Sequence, residues 1–589
     1  MTEDHDAPER EREEPPTSQK TSRRSFLKTA GFTAAGVAVG GAAGGAVGAT
    51  LGARAGGKRV EVEEELRVLP PRKTPGFDHL VVVMYENRSF DNLLGYLYDK
   101  KTLPKGQKFD GLNFGEYSNH DPITGGRVPA HVYFGATDVV MRHPQPDPGE
   151  EYPHVNTQLF GTVDPLDNGR RLIPDMVAPF NAPPSERRPT MDGFVTDYIN
   201  SYRAEHANAD PQENEYRIAM GSFAPEMLPV FSTLAQSFAV YDNWHCAVPS
   251  QIFCNRSFFH ASTSHGYVIN GGDGGYGKWF DRHNATPTIF NRLEDAGLPW
   301  RVYFDANQLI SLTGFIHAPV LEKYWTTNFR TMDDFFDDVE NGTLPAYSFI
   351  EPRMVYDHND MHPPVGPYSA TDVDGSVITG GGISDVRAGE ALMHRIYSAI
   401  RTSTSEKGSN AMNTMLFVTF DEHGGTYDHV RPPAAVAPQP TQDTEMGFAF
   451  NRLGLRVPAI AISAYTARKV INDPMHHGSV VSTLTKKYNL KSLTKRDAGA
   501  PTLMNAVNLG APRQPATWPQ THPQWLPANP EAQAPYPGGD DDRPLSPPGV
   551  GLVGMLTAHF GGDETKIPRT YREAYELIDK HGRGLFGSY

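Results

Sequence analysis

Cysteine is almost absent: 589 residues carry only Cys246 and Cys254. Two thiols cannot make a disulfide framework, and no thiolate cluster exists to hold a structural zinc ion. Whether these two bridge or stay as buried free thiols is left open by sequence. Basic charge is also short, with 54 Lys and Arg against 69 Asp and Glu and a net charge of -15. Neutralising a nucleic-acid backbone needs a basic surface, so a general nucleic-acid binder is excluded. A long strongly apolar run is missing too. The one candidate, from Ala30 to Ala55, is Ala- and Gly-rich with little Leu, Ile or Phe, too weak for a stable transmembrane anchor. No internal repeat occurs, which removes solenoids and propellers.

The N-terminus carries an address instead. Thr21-Ser22-Arg23-Arg24-Ser25-Phe26-Leu27-Lys28 fits a twin-arginine export signal, and Ala53-Arg54-Ala55 is a small-x-small cleavage candidate. Residues 1–57 therefore read as signal and leader, with the twin-arginine export machinery as partner of the precursor. The mature protein is expected to be secreted or associated with the cell envelope.

Beyond the leader, two separated segments share one design. Leu80 to Tyr85 is a continuous apolar run that enters Glu86-Asn87-Arg88-Ser89-Phe90-Asp91. Met415 to Phe420 is another, and it enters Asp421-Glu422-His423-Gly424-Gly425-Thr426-Tyr427-Asp428-His429. Such runs suit central strands of a parallel sheet covered on both faces. Ligands of these sheets bind beyond the carboxyl ends of the strands. If the two strands are neighbours, Glu86, Asn87, Asp421 and Glu422 converge as hard oxygen ligands for a divalent cation such as Ca, Mg, Mn or Zn.

Elsewhere the pattern predicts helices at Phe223–Phe238, Thr286–Ala296, Asp385–Arg401 and Thr570–His581, with strands at Trp300–Phe304, Tyr347–Ile350 and Val457–Ser463. The alternation implies an α/β fold, a mostly parallel central sheet sandwiched by helices. Asp99–Arg188 and Tyr356–Gly382 read as long Pro- and Gly-rich insertions of the kind that line sites. Gln514–Gly551 reads as an extended Pro-rich wrap.

The two motifs resemble the signatures of the bacterial phospholipase C/acid phosphatase phosphoesterase family, within the alkaline-phosphatase-like superfamily. Met191-Asp192-Gly193-Phe194, Asp242-Asn243-Trp244, Val248-Pro249 with Asn255-Arg256, Glu351-Pro352 with His362-Pro363-Pro364, Val457-Pro458 and His477-Gly478-Ser479 continue the order. The resemblance implies an alkaline-phosphatase-like catalytic domain over residues 76–510, with 511–589 as wrap and C-terminal helix packed on it. It implies an ester hydrolase whose metal is held by Glu86, Asn87, Asp421 and Glu422. Phospholipid phosphodiesters are the leading substrate, and phosphomonoesters of acid-phosphatase type the alternative. His154 and His362 match the family's site histidines, with His477, Asn255 and Arg256 as further substrate contacts and His317 a weaker candidate. Asn87 would serve both metal and catalysis.

One position departs from the pattern. The family carries Thr or Ser three residues before Asn-Arg, and here that residue is Ile252, without a nucleophilic atom. Ser250 could substitute, water could attack, or the chain could bind phosphate esters with impaired turnover. Cys254, flanked by Phe253 and near Phe258, reads as packed and inert.

Overall fold

The computed structural model describes residues 66–587 apart from 135–139, 185–186, 307, 356–357, 365–368, 372–376, 380–384, 439–443 and 525–543. The leader, with Arg23, Arg24 and the boundary at 57, lies outside the described residues.

Eight strands build the central sheet: β1 (His79–Tyr85), β2 (Ala239–Tyr241), β3 (Trp300–Phe304), β4 (Phe329–Thr331), β5 (Tyr347–Ile350), β6 (Thr414–Phe420), β7 (Ala459–Ile462) and β8 (Lys469–Ile471). Their order is β8-β2-β7-β6-β1-β5-β3-β4. β7 runs against β6 and β2, and the other pairings are parallel. The sheet is thus mostly parallel, as the unbroken apolar runs require. β1 and β6 are its two central strands, and every residue of β6 is buried.

Nine helices matter for the site: α1 (Phe90–Leu94), α2 (Tyr152–Phe160), α3 (Phe194–Glu205), α4 (Pro229–Ser237), α5 (Ile252–Ala261), α6 (Val386–Thr402), α7 (Gly478–Lys487), α8 (Pro547–His559) and α9 (Tyr571–His581). Alternation along β6 sends Phe420 to one face, against Phe231 of α4, and Phe417 to the other, against Trp244. Phe349 of β5 shares the Phe417 face and meets Phe259 of α5. Each fully buried Phe, Leu or Val of this kind contributes on the order of 1.5–3 kcal/mol.

Two element boundaries differ from expectation. The helix predicted from Phe223 begins only at Pro229, after a single 3-10 turn at Pro225–Met227, because proline is at home in a first helical turn. The wrap predicted through Gly551 turns helical at Pro547, where Ser546 caps α8 by accepting from the Gly549 amide. The described part of that wrap packs Trp518 against Phe238 and Tyr397. Both cysteines are free and buried. Among the described residues, no helix is long and apolar enough to cross a membrane.

Candidate active site

Register brings the two motifs together. Tyr85 pairs with Phe420 in parallel, so Glu86 and Asp421 are the next residues on adjacent strands. The Asp421 amide donates to the Tyr85 carbonyl at 3.0 Å, extending the pairing by one step. Asn87 then takes a left-handed backbone, φ 56°, which breaks the strand, and its side chain meets Glu150. Ser89 caps α1 by accepting from the Asn92 amide.

The Gly-Gly of the second motif is a packing requirement. Gly424 and Gly425 have φ of 60° and 63°. A Cβ on Gly424 would stand 2.2 Å from the Asn87 carbonyl oxygen, and one on Gly425 2.4 Å from that of Gly149. A side chain at 424 would push the second motif off the first, and one at 425 would push it off the Pro148-Gly149 turn.

Asp421 is the anchor. Its Oδ1 accepts from the amides of Asn87 (3.1 Å) and Glu422 (2.7 Å), and its Oδ2 from Arg256 Nε at 3.3 Å. Arg256 also pairs with Glu86 Oε1. Glu422 Oε2 accepts from the Gly424 amide at 2.7 Å. Burial pushes the Glu86 carboxyl well up, with Arg256 opposing and Asp421 assisting. Burial, Glu150 and Asp421 do the same to Glu422. Glu86 Oε2, Asn87 Oδ1 and Glu422 Oε1 are all buried acceptors with no partner. Several carboxylates meeting one guanidinium, with three oxygens unsatisfied, fit a hard divalent cation. Glu86, Asn87, Asp421 and Glu422 are the residues that would hold it.

The other sequence-predicted residues scatter by role. His154 Nδ1 lies 2.9 Å from Asp197 Oδ1. Burial opposes its charge, yet Asp197 holds the imidazole up at about 9. Gln158 links that pair to the motif, donating to Asp197 at 2.8 Å and meeting His423 Nε2 at 2.7 Å. His362 Nδ1 donates to the Pro363 carbonyl at 2.6 Å, which turns Nε2 toward Asp147 and Glu150. Burial again opposes, and those two carboxylates keep His362 at about 9.

Three assignments need correction. His477 has both ring nitrogens engaged: Nε2 donates to the Asp421 carbonyl at 2.7 Å, and Nδ1 accepts from Trp244 Nε1 at 3.3 Å. It positions the Asp421 backbone and offers a substrate nothing. Asn255 spends its amide on the turn below, accepting from the Ala247 and Val248 amides and donating to the Ser250 carbonyl at 2.6 Å. Arg256 stands apart from these: it pairs with Glu86 and Asp421 through Nη2 and Nε and keeps Nη1 without a partner. Ser250 is buried and its hydroxyl donates to the Val268 carbonyl, which removes it from the cleft chemistry. Ile252 is the first residue of α5 and fully buried in the core. Burial pushes the Cys254 thiol up, and His317 is held neutral by burial, at about 3.

Sequence reasoning missed Glu150, Asp147 and Gln251. Glu150 Oε2 accepts from Asn87 Nδ2, and its Oε1 from Gln251 Nε2 at 3.4 Å. Asp147-Pro-Gly-Glu150 precedes α2 at the end of a Pro-rich insertion. Two acids around a Pro-Gly turn were the only available signal.

The protein is thus of the α/β class, with paired carboxylates and unpartnered oxygens gathered at the carboxyl ends of β1 and β6. The chain belongs to the phosphoesterase family, whose model matches residues 77–491. Non-specific phospholipase C1 of Arabidopsis thaliana is 31% identical over 84% of this chain and 81% of its own. Non-specific phospholipase C3 of the same plant is 31% identical over 75% and 76%. Phospholipase C B of Mycobacterium tuberculosis is 24% identical over 77% and 82%. A solved protein of the alkaline phosphatase superfamily from Vibrio parahaemolyticus matches 47% of this chain and 65% of its own at 10% identity and a TM-score of 0.27, too slight a likeness to argue from. The protein is a hydrolase acting on phosphate ester bonds.

Proposed function

We propose that this chain is an exported, metal-dependent phosphoesterase of phospholipase C type, cleaving phospholipid headgroup phosphodiesters. The observation that carries the metal reading is the set of three unpartnered buried oxygens, on Glu86, Asn87 and Glu422, at the joined ends of β1 and β6. The substrate class rests on the relatives bearing the name phospholipase C. Export rests on Arg23-Arg24 and the Ala/Gly-rich stretch behind it.

A divalent cation here supplies charge stabilisation for a phosphoryl oxygen in the transition state. Arg256 stands between Asp421 and Glu86 and supplies one positive charge to both carboxyl groups. Gly424 and Gly425 let the second motif close on the first. His154, raised to about 9 by Asp197, carries a proton that can pass to the leaving alkoxide of the lipid. With Ile252 inert, Ser250 committed to Val268 and the Cys254 thiol protonated, water is the attacking group in this reading. Its oxygen bonds phosphorus, the P–O bond to the diacylglycerol breaks, and the headgroup leaves as its phosphomonoester.

The test assays purified mature protein on a chromogenic phosphocholine diester and its phosphomonoester analogue, before and after chelation and with Ca, Mg, Mn or Zn restored. Diester turnover that needs added metal is expected. Preference for the monoester would move the protein to the acid-phosphatase type, and metal-independent turnover would overturn the metal reading. Changing Arg23 and Arg24 together to Lys should retain the precursor in the cytoplasm, and normal secretion would refute the export reading.

A further inference from the structure

Beside the cation site proposed above stands a second donor set. One oxygen each of Asp147 and Glu150 and one ring nitrogen of His362 lie within 4.8 Å of one another. His362 Nε2 is 3.9 Å from Asp147 Oδ2 and 3.7 Å from Glu150 Oε2. These gaps are too wide for hydrogen bonds. They suit a cation bound by each donor at about 2.0–2.2 Å, since two ligands at that bond length lie roughly 3–4 Å apart.

Three observations beyond the acidic cluster point to a ligand. Asp147 Oδ1 is buried with no partner, on a side chain 10% exposed. The Pro363 carbonyl takes the Nδ1 proton of His362, the support that metal-ligating imidazoles usually have, and so directs Nε2 into the cluster. Asn87 joins the two sites through one amide. Its Oδ1 is the unpartnered acceptor of the first site, while its Nδ2 donates to Glu150 Oε2 of the second. Gln251 Nε2 holds the other Glu150 oxygen at 3.4 Å.

We infer that Asp147, Glu150 and His362 bind a second divalent cation, next to the first site and joined to it through the Asn87–Glu150 hydrogen bond. The inference rests on the reading of Glu86, Asn87, Asp421 and Glu422 as the first cation site. Two carboxylates and one imidazole favour Mn²⁺- or Zn²⁺-like ions. Three protein ligands leave positions open to substrate oxygens. Phosphatases and nucleases that attack with water commonly use two ions. A second ion fits a chain whose nucleophile position holds Ile252.

The experiment strips the mature protein with chelator and dialyses it against Mn²⁺. It counts bound ions by elemental analysis and records the Mn²⁺ paramagnetic resonance spectrum. Wild type should hold two ions per chain with a spin-coupled signal. Asp147→Asn and His362→Gln should each hold one, with the coupling gone and the circular dichroism unchanged. Asp421→Asn should also hold one, from the other site. Two ions in both Asp147→Asn and His362→Gln would overturn the inference. So would one ion in wild type that Asp421→Asn abolishes and Asp147→Asn leaves, a result that spares the first site. No bound ion in wild type would overturn both readings. If Asp147→Asn does not fold, His362→Gln decides alone.

Discussion

Glu86, Asn87, Asp421 and Glu422 make one acidic cluster, and Asp91, Asp428 and His429 make another from the same two motifs a few residues on. Both are buried at the carboxyl end of the sheet, and both could be mistaken for a metal site. Their charge balance separates them. In the second, Arg456 reaches Asp428 Oδ1 through Nε at 2.9 Å and Asp91 Oδ1 through its other arm at 2.9 Å. His429 then takes Asp91 Oδ2 at 2.6 Å and Asp110 at 2.8 Å. Among the described residues, no polar atom of that cluster is left unpartnered. The first cluster shares one guanidinium and keeps three oxygens open. The second carries its cation in the chain, and the first is shaped for one from solution.

The largest effects should come from swapping those roles. Asp421→Ala should lower kcat/KM by at least about 10²–10³-fold, since charge stabilisation of the transition state goes with the ion. Bound metal should fall, and the metal-free protein should lose stability as well, because Arg256 and the Asn87 and Glu422 amides lose their acceptor. Arg456→Met should leave the metal in place. It strands Asp91 and Asp428 without their counter-charge, costing about 3–5 kcal/mol of stability, with metal content per folded molecule unchanged. Denaturant titrations and elemental analysis read both variants. If Arg456→Met loses metal and Asp421→Ala keeps it, the division between the clusters is drawn wrongly.

A smaller effect should appear in the pH dependence of the second cluster. Burial opposes charge on His429, but Asp91 and Asp110 raise it from 6.5 to about 9. A histidine raised in the folded state stabilises fully below its unfolded pKa, and that stabilisation is lost as pH rises through the folded one. Wild type should therefore lose about 1–3 kcal/mol relative to His429→Gln between pH 6.5 and 9, read as a difference in unfolding free energy. A constant difference across that window would mean that His429 is neutral in the fold.

How much of this was legible beforehand follows from what each signal depends on. β1 and β6 showed as unbroken apolar runs, and their ends placed Glu86 and Asp421 together once the register was known. β2, β4 and β8 are three residues each, too short for any period to show. α8 was hidden by Pro547-Pro548-Gly549, which reads as a breaker but here opens a helix. Asn255, His477 and Ser250 were assigned through resemblance, and only their hydrogen bonds reveal that they brace backbone instead. Arg456 sits 28 residues from Asp428, and nothing local marks it as the internal cation. Glu150 and Asp147 stand in a Pro-rich segment without periodicity, so their partners are purely tertiary.

The smallest expected effect belongs to Ser250, one of the three sources of attack that the sequence left open. It precedes α5, its hydroxyl is bound to the Val268 carbonyl and its own carbonyl accepts from Asn255. Ser250→Ala should leave kcat/KM within about threefold of wild type and cost about 1 kcal/mol, the usual worth of one internal hydrogen bond. A nucleophilic Ser250 would instead make the same change nearly fatal to turnover, by about 10³-fold or more. Ile252→Thr sharpens the contrast, because it restores a hydroxyl at the first position of α5 but buries it in a core of apolar side chains. If water attacks, that hydroxyl gains nothing and the variant is only less stable, by roughly 1–3 kcal/mol. Acid-quenched wild type analysed by mass spectrometry should carry no phosphoryl group. One found on Ser250 would show that the bond to Val268 opens during turnover and that the serine, not water, reaches phosphorus.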